Sequence, residues 1–449
     1  MNTSFPKKRF KIQHLLCFFL LAFSLILYLI SDSHIEFKSG QISNEVYVWQ
    51  RQWDSAVTES LSKTADQLAG FAVLAAEVSF KQEQIEDIVR IPINYEALKA
   101  TQKPIILVLR IGSFSGNFSK NTEITKLLGQ IACSIIEDAR QNGIEPEELQ
   151  IDFDCAEFKL NGYREMVKVL RKETERLQFE VSSDIQKAVP IVITALPCWL
   201  KHRTFKALAK ETDGFVLQVH SLERPKHPDA PMELCKITSC KKWIEKAARI
   251  GVPFRVALPT YGYVVGFDNE GQFLGISAEG PSPTWPQGVL LRVVNSDAPA
   301  IAGLVRELQI DRPANMLSLI WYRLPIKTDR LNWNWDTLTI VMKGHTPQQE
   351  IKVEIDYPQA GLANLSLTNI GQLDSSLNID IEIECEQSKI IAADGMNGFI
   401  FEYDDKGNVS LKSETANNLS TIRPGQKMLI GWLRFNDKTG IQTYVSKIN

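Results

Sequence analysis

The chain has 449 residues, 50 Lys and Arg against 53 Asp and Glu, and a formal net charge of -3. Hydrophobic residues make up 44% and charged residues 23%, which excludes a wholly disordered chain and a nucleic-acid binder driven by bulk positive charge. The mean hydropathy of -0.12 excludes a multi-span membrane protein, and the length allows two or three domains.

The N-terminal end departs from this average. Lys7, Lys8, Arg9 and Lys11 precede a run without charge from Leu15 to Ile30. As a helix the run would be about 24 Å long, slightly short of a bilayer core. No small-x-small cleavage site stands in Ile30-Ser-Asp-Ser33. Residues 1–33 therefore read as a signal-anchor, with a cleaved signal peptide as the alternative. The basic flank stays cytoplasmic, so the body is exported to the periplasm or beyond, or secreted if the segment is cut.

From residue 45 to 330 short apolar runs alternate with amphipathic stretches. The predicted strands are 46–50, 71–77, 105–111, 149–154, 191–196, 215–220, 254–258 and 316–321. Several are Val/Ile/Leu-rich without clean alternation, as expected of strands buried on both faces. Helical spacing marks 122–142, with Ile124, Leu127, Leu128, Ile131, Ile135 and Ile136 on one face. The segments 163–177, 203–211, 241–250 and 298–309 read similarly. Eight strands with intervening helices predict an α/β fold, a (β/α)8 TIM barrel, with a doubly wound sheet as the alternative. Gly112-Ser-Phe-Ser-Gly116 has neither the spacing nor the Lys of a phosphate loop, and no cofactor is expected.

After Pro325 the composition changes. Seven short alternating stretches, at 351–355, 365–368, 379–384, 399–403, 409–412, 428–434 and 442–445, predict a C-terminal β-sandwich of immunoglobulin size over 345–449.

The seven cysteines do not form a disulfide framework in a chain this long. Cys133, Cys155, Cys198 and Cys385 sit in apolar or strand-like contexts and read as packing residues. Cys235 and Cys240 leave a local disulfide open in an oxidising compartment.

In a barrel, functional side chains gather where the strands end. Asp152 and Asp154 are two apart in Leu149-Gln-Ile-Asp-Phe-Asp154, so a strand points both to one side, with Gln150 below them. Two carboxylates held together raise one pKa, which is what a general acid needs. Glu157 lies past the strand and reaches the same face only through a bulge. Gln218 and His220 share a face at the end of their strand. Trp49, Tyr261, Trp321 and Tyr322 place aromatic rings at other strand ends, where rings stack on sugars.

These residues resemble a known group. Leu258-Pro-Thr-Tyr-Gly262, Leu319-Ile-Trp321 and Ile151-Asp-Phe-Asp154 resemble the seventh, eighth and fourth strands of family-eighteen glycoside hydrolases, the chitinase-like barrels. Residues 264–280 would then be a reduced α+β insertion. The chain also resembles a family of uncharacterised bacterial exported proteins, a domain of unknown function near the glycoside-hydrolase barrels. The cues are Val46-Tyr-Val-Trp-Gln-Arg51, Gln150-Ile-Asp-Phe-Asp-Cys155 and Leu217-Gln-Val-His220. The chitinase acid is a Glu two residues after the last Asp of its signature, and here that position is Ala156. A register with Gln150 and Asp152 in the Asp-Asp places and Asp154 as the acid keeps all three on one face. The resemblance implies that Asp154 protonates a leaving oxygen, Asp152 orients an acetamido group or stabilises positive charge, Tyr261 supports that group and Trp321 floors the sugar site.

Three functions follow as expectations. The first is a glycoside hydrolase acting on an envelope or extracellular polysaccharide. The second is a non-catalytic polysaccharide-binding or envelope-assembly protein on the same barrel. The third is a metal-dependent hydrolase using Asp152, Asp154 and His220, for which no His-x-His or His-Glu-x-x-His signature exists. The expected partners are a glycan and, through the N-terminal segment, the inner membrane, with no nucleic acid.

Overall fold

Eight apolar runs become eight parallel strands in a computed structural model, which describes residues 35–118, 122–180, 188–220, 224–279, 284–386, 390–403, 409–413, 421–436 and 442–448. The segment 1–33, read as a signal-anchor, lies outside the described residues. Among those residues no helix is long and apolar enough to cross a membrane.

The strands are β1 (Ser43–Val48), β2 (Gly70–Lys81), β3 (Ile105–Ile111), β4 (Glu148–Phe153), β5 (Ile191–Ala195), β6 (Gly214–Gln218), β7 (Phe254–Pro259) and β8 (Met316–Tyr322). Each pairs in parallel with its successor, and β8 pairs with β1. That last pairing closes the sheet into a barrel and removes the doubly wound alternative. Helices follow the strands at Ser55–Thr64, Tyr95–Ala100, Thr122–Gln141, Leu160–Glu180, Arg203–Ala209, Ile237–Ala248, Ala298–Ile310 and Trp335–Met342. Asp54, Asp297 and Asn334 cap three of them by accepting backbone N–H bonds.

Both faces of the strands are buried, which explains the weak alternation in the sequence. Outward residues such as Val46, Phe71, Leu107, Ile151 and Phe215 pack under the helices in the main core. Inward residues Ala72, Ile106, Val108, Val192, Val216, Ala257 and Ile320 fill the barrel with Tyr47. The amino end of the barrel is plugged by charge. Arg255 donates to both Glu148 oxygens at 2.8 Å and contacts Glu45 at 3.0 Å, and Ser318 donates to Glu45 at 3.0 Å. Above this layer the Gln150 amide donates to the Tyr47 hydroxyl.

The segment after β7 forms a three-stranded antiparallel sheet from Gly262–Phe267, Phe273–Ser277 and Leu290–Asn295. The α+β insertion expected at 264–280 is therefore strand-built among the described residues. A hairpin strand, Gln84–Arg90, extends antiparallel from β2. Beyond the barrel lies a β-sandwich, two four-stranded antiparallel sheets with their own core. Ala363, Leu365, Leu367, Ile430 and Leu433 from one sheet meet Ile381, Ile383, Phe399, Val409 and Leu411 from the other.

Candidate active site at the carboxyl end of the barrel

The strands end around a cleft of about 460 Å³, lined by aromatic rings on one side and charged groups on the other. Period-two alternation decides what enters it. On β3, Ile106 and Val108 face inward, and the next residue of that parity is Arg110. On β4, Gln150 and Asp152 face inward, with Asp154 one step past the strand. On β5 it is Thr194, and on β6 Gln218, with His220 beyond it.

Asp152 is the hub. It is buried, and the Arg110 guanidinium donates to its Oδ2. The Thr194 hydroxyl donates to its Oδ1 at 2.8 Å, and Gln218 approaches the same oxygen at 3.4 Å. Both oxygens are thus held by donors from three neighbouring strands. Asp154 stands at the mouth, its side chain 42% exposed, with one oxygen 3.4 Å from Arg110. Burial, reinforced by the Asp152 charge, holds its carboxyl above the ordinary value, while Arg110 opposes that rise. Burial works against the Arg110 charge, but the two carboxylates more than offset it and raise its pKa.

Across the cleft, Arg51 grips Glu77 with two bonds of 2.5 and 2.8 Å. Glu77 has the wrong parity to join Ala72 and Leu74. A bulge between Leu74 and Ala76 inserts one residue and turns Glu77 inward, opposite Arg110.

The aromatic wall is continuous. Tyr322 has ring centroids 5.2 Å from Trp49, 5.6 Å from Tyr261 and 5.8 Å from His220, the last stacked at 27°. Tyr47 meets Trp49 edge-on at 5.6 Å. His220 Nδ1 lies 3.1 Å from the Tyr261 hydroxyl, and its buried Nε2 has no partner among the described residues. Burial lowers the His220 pKa from 6.5 to about 4, so the ring is neutral at neutral pH. Burial also raises the phenols of Tyr261 and Tyr322, which remain hydroxyls.

A family model, the domain of unknown function DUF3142, matches residues 101–327, half of the chain. The chain belongs to the DUF3142 family. The match spans β3 to β8 and with them Arg110, Asp152, Asp154, Gln218, His220, Tyr261 and Tyr322. In this DUF3142 protein a second domain of unknown function, DUF8456, matches residues 354–436 within the sandwich. No curated protein sequence matches the chain. Among solved structures it is similar to the spore cortex-lytic enzyme SleL of Bacillus megaterium QM B1551, at 14% identity and a TM-score of 0.45, over 69% of this chain and 75% of that one. It is similar to a chitinase from Chromobacterium violaceum at 14% identity and 0.44, over 68% and 98%. Human YKL-39, described as a pseudo-chitinase with retained chitooligosaccharide binding, matches at 12% and 0.40, over 63% and 92%. At such values these likenesses say nothing of this chain's chemistry.

Three sequence expectations need correction in the DUF3142 barrel. Trp321 is fully buried on the outer face of β8, where its indole N–H donates to Asn44 Oδ1 at 2.9 Å and its ring packs near Trp333. Ile320 and Tyr322 take the inward positions, so Tyr322, not Trp321, reaches the cleft. Glu157 lies on the short 3₁₀ turn Glu157–Lys159, away from the cleft, bonded to His202 and 3.2 Å from Lys201. Those donors lower its pKa, the reverse of what an acid catalyst needs. Gln150 sits one layer below the cleft, under Tyr47. In addition Cys198, read as a packing residue, is exposed.

Asp152, Asp154, Gln218, His220, Tyr261, Trp49 and Tyr322 all line the cleft. Arg110, Glu77, Arg51, Thr194, Tyr47 and Tyr263 were missed. Arg110 and Thr194 share parity with the apolar inward residues of their strands, and that signal was available. Glu77 was hidden by its bulge. Among the described residues, no group of three His, Cys, Asp or Glu side chains is arranged to hold a metal ion.

Proposed function

We propose that this is an exported, carbohydrate-active protein whose barrel cleft hydrolyses an envelope or extracellular polysaccharide by acid assistance from Asp154. The observation that carries the reading is the position of Asp154. Its carboxyl has an elevated pKa, a side chain 42% exposed at the cleft, and a wall of Trp49, Tyr261 and Tyr322 rings in the same cleft. Aromatic faces beside hydrogen-bonding side chains suit pyranose rings.

In the proposed reaction Asp154 gives its proton to the glycosidic oxygen as the bond to the anomeric carbon breaks. Asp152, fixed by Arg110, Thr194 and Gln218, supplies the negative field under the developing positive charge. An acetamido group on the sugar would make this a substrate-assisted case. Water then adds to the anomeric carbon and its proton returns to Asp154. His220 Nε2, without a partner among the described residues, and the Tyr261 hydroxyl suit sugar hydroxyls or an acetamido oxygen. The apolar run at 15–30 supports export.

A second reading is favoured by one contact. Arg110 reaches Asp154 as well as Asp152, which opposes protonation of the acid. In that reading the cleft binds glycan without cleaving it. Incubation with peptidoglycan fragments, chitin oligomers and exopolysaccharides, followed by product analysis, tests the two. New reducing ends support hydrolysis. Calorimetric binding without products supports the second reading, and neither binding nor products refutes both.

A further inference from the structure

Beside the cleft, but outside it, two thiols face each other. Cys235 ends the segment that follows β6, and Cys240 lies in the first turn of the helix Ile237–Ala248. Their sulfur atoms are 3.3 Å apart. Cys240 is fully buried and its Sγ is 3.6 Å from the Val219 carbonyl, next to His220 of the cleft wall. Cys235 is only partly buried. A disulfide has sulfurs about 2.0 Å apart, so a small shift of a side chain on the irregular segment would close the bond.

We propose that Cys235 and Cys240 are an oxidative cross-linking site, joined as a disulfide by a disulfide-bearing oxidant in the compartment that receives the body of the chain. The proposal is independent of the reaction assigned to the cleft. The asymmetry in exposure gives the order of events. The accessible Cys235 thiolate attacks one sulfur of the oxidant's disulfide, and the oxidant's other sulfur leaves as a thiolate. The Cys240 thiolate then attacks Cys235 Sγ and expels the second oxidant thiolate. One S–S bond forms and one breaks. Both cysteine protons are lost, the two electrons pass to the oxidant, and it ends as a dithiol. The hydrogen bond to Cys240, together with burial, raises the Cys235 pKa, which slows the first attack without altering its balance.

The cross-link ties down a segment that touches the site. Leu234 packs in one cluster with Tyr261. The carbonyl groups of Pro228 and Ala230 accept from Arg292 of the antiparallel sheet at the cleft rim. Closing the short loop from 235 to 240 constrains the unfolded chain less than a long loop would. Its effect is local, on residues 224–236.

The test uses the full chain, reduced and then equilibrated with oxidised and reduced glutathione. After acid quenching the protein is alkylated in denaturant, digested with trypsin and analysed by mass. Cleavage after Lys236 separates the two cysteines, so a disulfide appears as peptides 227–236 and 237–241 joined. The expected result is that joined pair at an oxidising ratio, with Cys133, Cys155 and Cys198 alkylated. In Cys240→Ser, Cys235 should instead carry glutathione, because the resolving thiol is gone. Hydrogen exchange across 224–236 should slow at least several-fold on oxidation of the wild type. Alkylation of both Cys235 and Cys240 at every ratio overturns the proposal, as does glutathione left on Cys235 of the wild type. Unchanged exchange across 224–236 overturns the claim that the bond pins this segment.

Discussion

Arg110 bridges Asp152 and Asp154, touching the first with Nη1 and lying 3.4 Å from the second with Nη2. One guanidinium thus contacts both carboxylates at the end of β4. Burial and the Asp152 charge push the Asp154 carboxyl up, and Arg110 pulls it back. Removing the cation leaves only the upward influences. A general acid works in its protonated form, so rate falls as pH rises through its pKa. In Arg110→Gln the falling limb of kcat/KM should therefore move to higher pH, as measured by pH-rate profiles. Carbon-13 titration of the Asp154 carboxyl should show the same upward direction even without turnover. A limb and a titration that stay in place would contradict the bridge.

His220 gives a stability signature of the same origin, burial, with the opposite direction of shift. Burial disfavours the imidazolium and lowers its pKa from 6.5 to about 4. The folded protein then binds this proton less readily than the unfolded chain. The contribution of neutral His220 is complete above pH 6.5 and is lost as pH falls through about 4. Urea midpoints measured across that window should fall more steeply for the wild type than for His220→Gln. Parallel curves would remove the assignment.

The two tryptophans divide stability from binding. Trp321→Ala empties a fully buried site outside the barrel and should cost about 3–5 kcal/mol by denaturant unfolding. Trp49→Ala removes a ring from the cleft wall. It should weaken oligosaccharide binding about 10-fold by calorimetry and leave stability nearly intact. The reverse pattern would return Trp321 to the cleft.

At the opposite end of the barrel, Arg255 pairs with both Glu148 and Glu45. Burial already raises the Glu148 pKa against the pull of Arg255. Arg255→Ala leaves two buried acids uncompensated and should destabilise the fold by about 3–5 kcal/mol at neutral pH. Denaturant melts check this, and a loss below about 1 kcal/mol would mean water reaches the layer.

The barrel was legible because its strands are apolar on both faces and its helices carry a 3.6-residue period. Ile105–Ile111 and Phe399–Tyr403 were read to the residue. Asp152 and Asp154 were legible as a pair because two carboxylates two apart in an otherwise apolar strand share one side. What failed was parity. Trp321 was chosen by likeness to another barrel, although Ile320 and Tyr322 hold the inward positions of the same strand. Glu77 could not be found by counting, because the bulge beside it changes the count. The Ile390–Gly395 strand was missed because none of its residues is fully buried.

The most direct test of the central claim is turnover by wild type and Asp154→Asn, side by side, on any oligosaccharide the wild type cleaves. The amide keeps the shape and removes the transferable proton. The account predicts that kcat falls by about 10²–10³, while the oligosaccharide Kd stays within about threefold. Turnover equal to wild type in Asp154→Asn would contradict it.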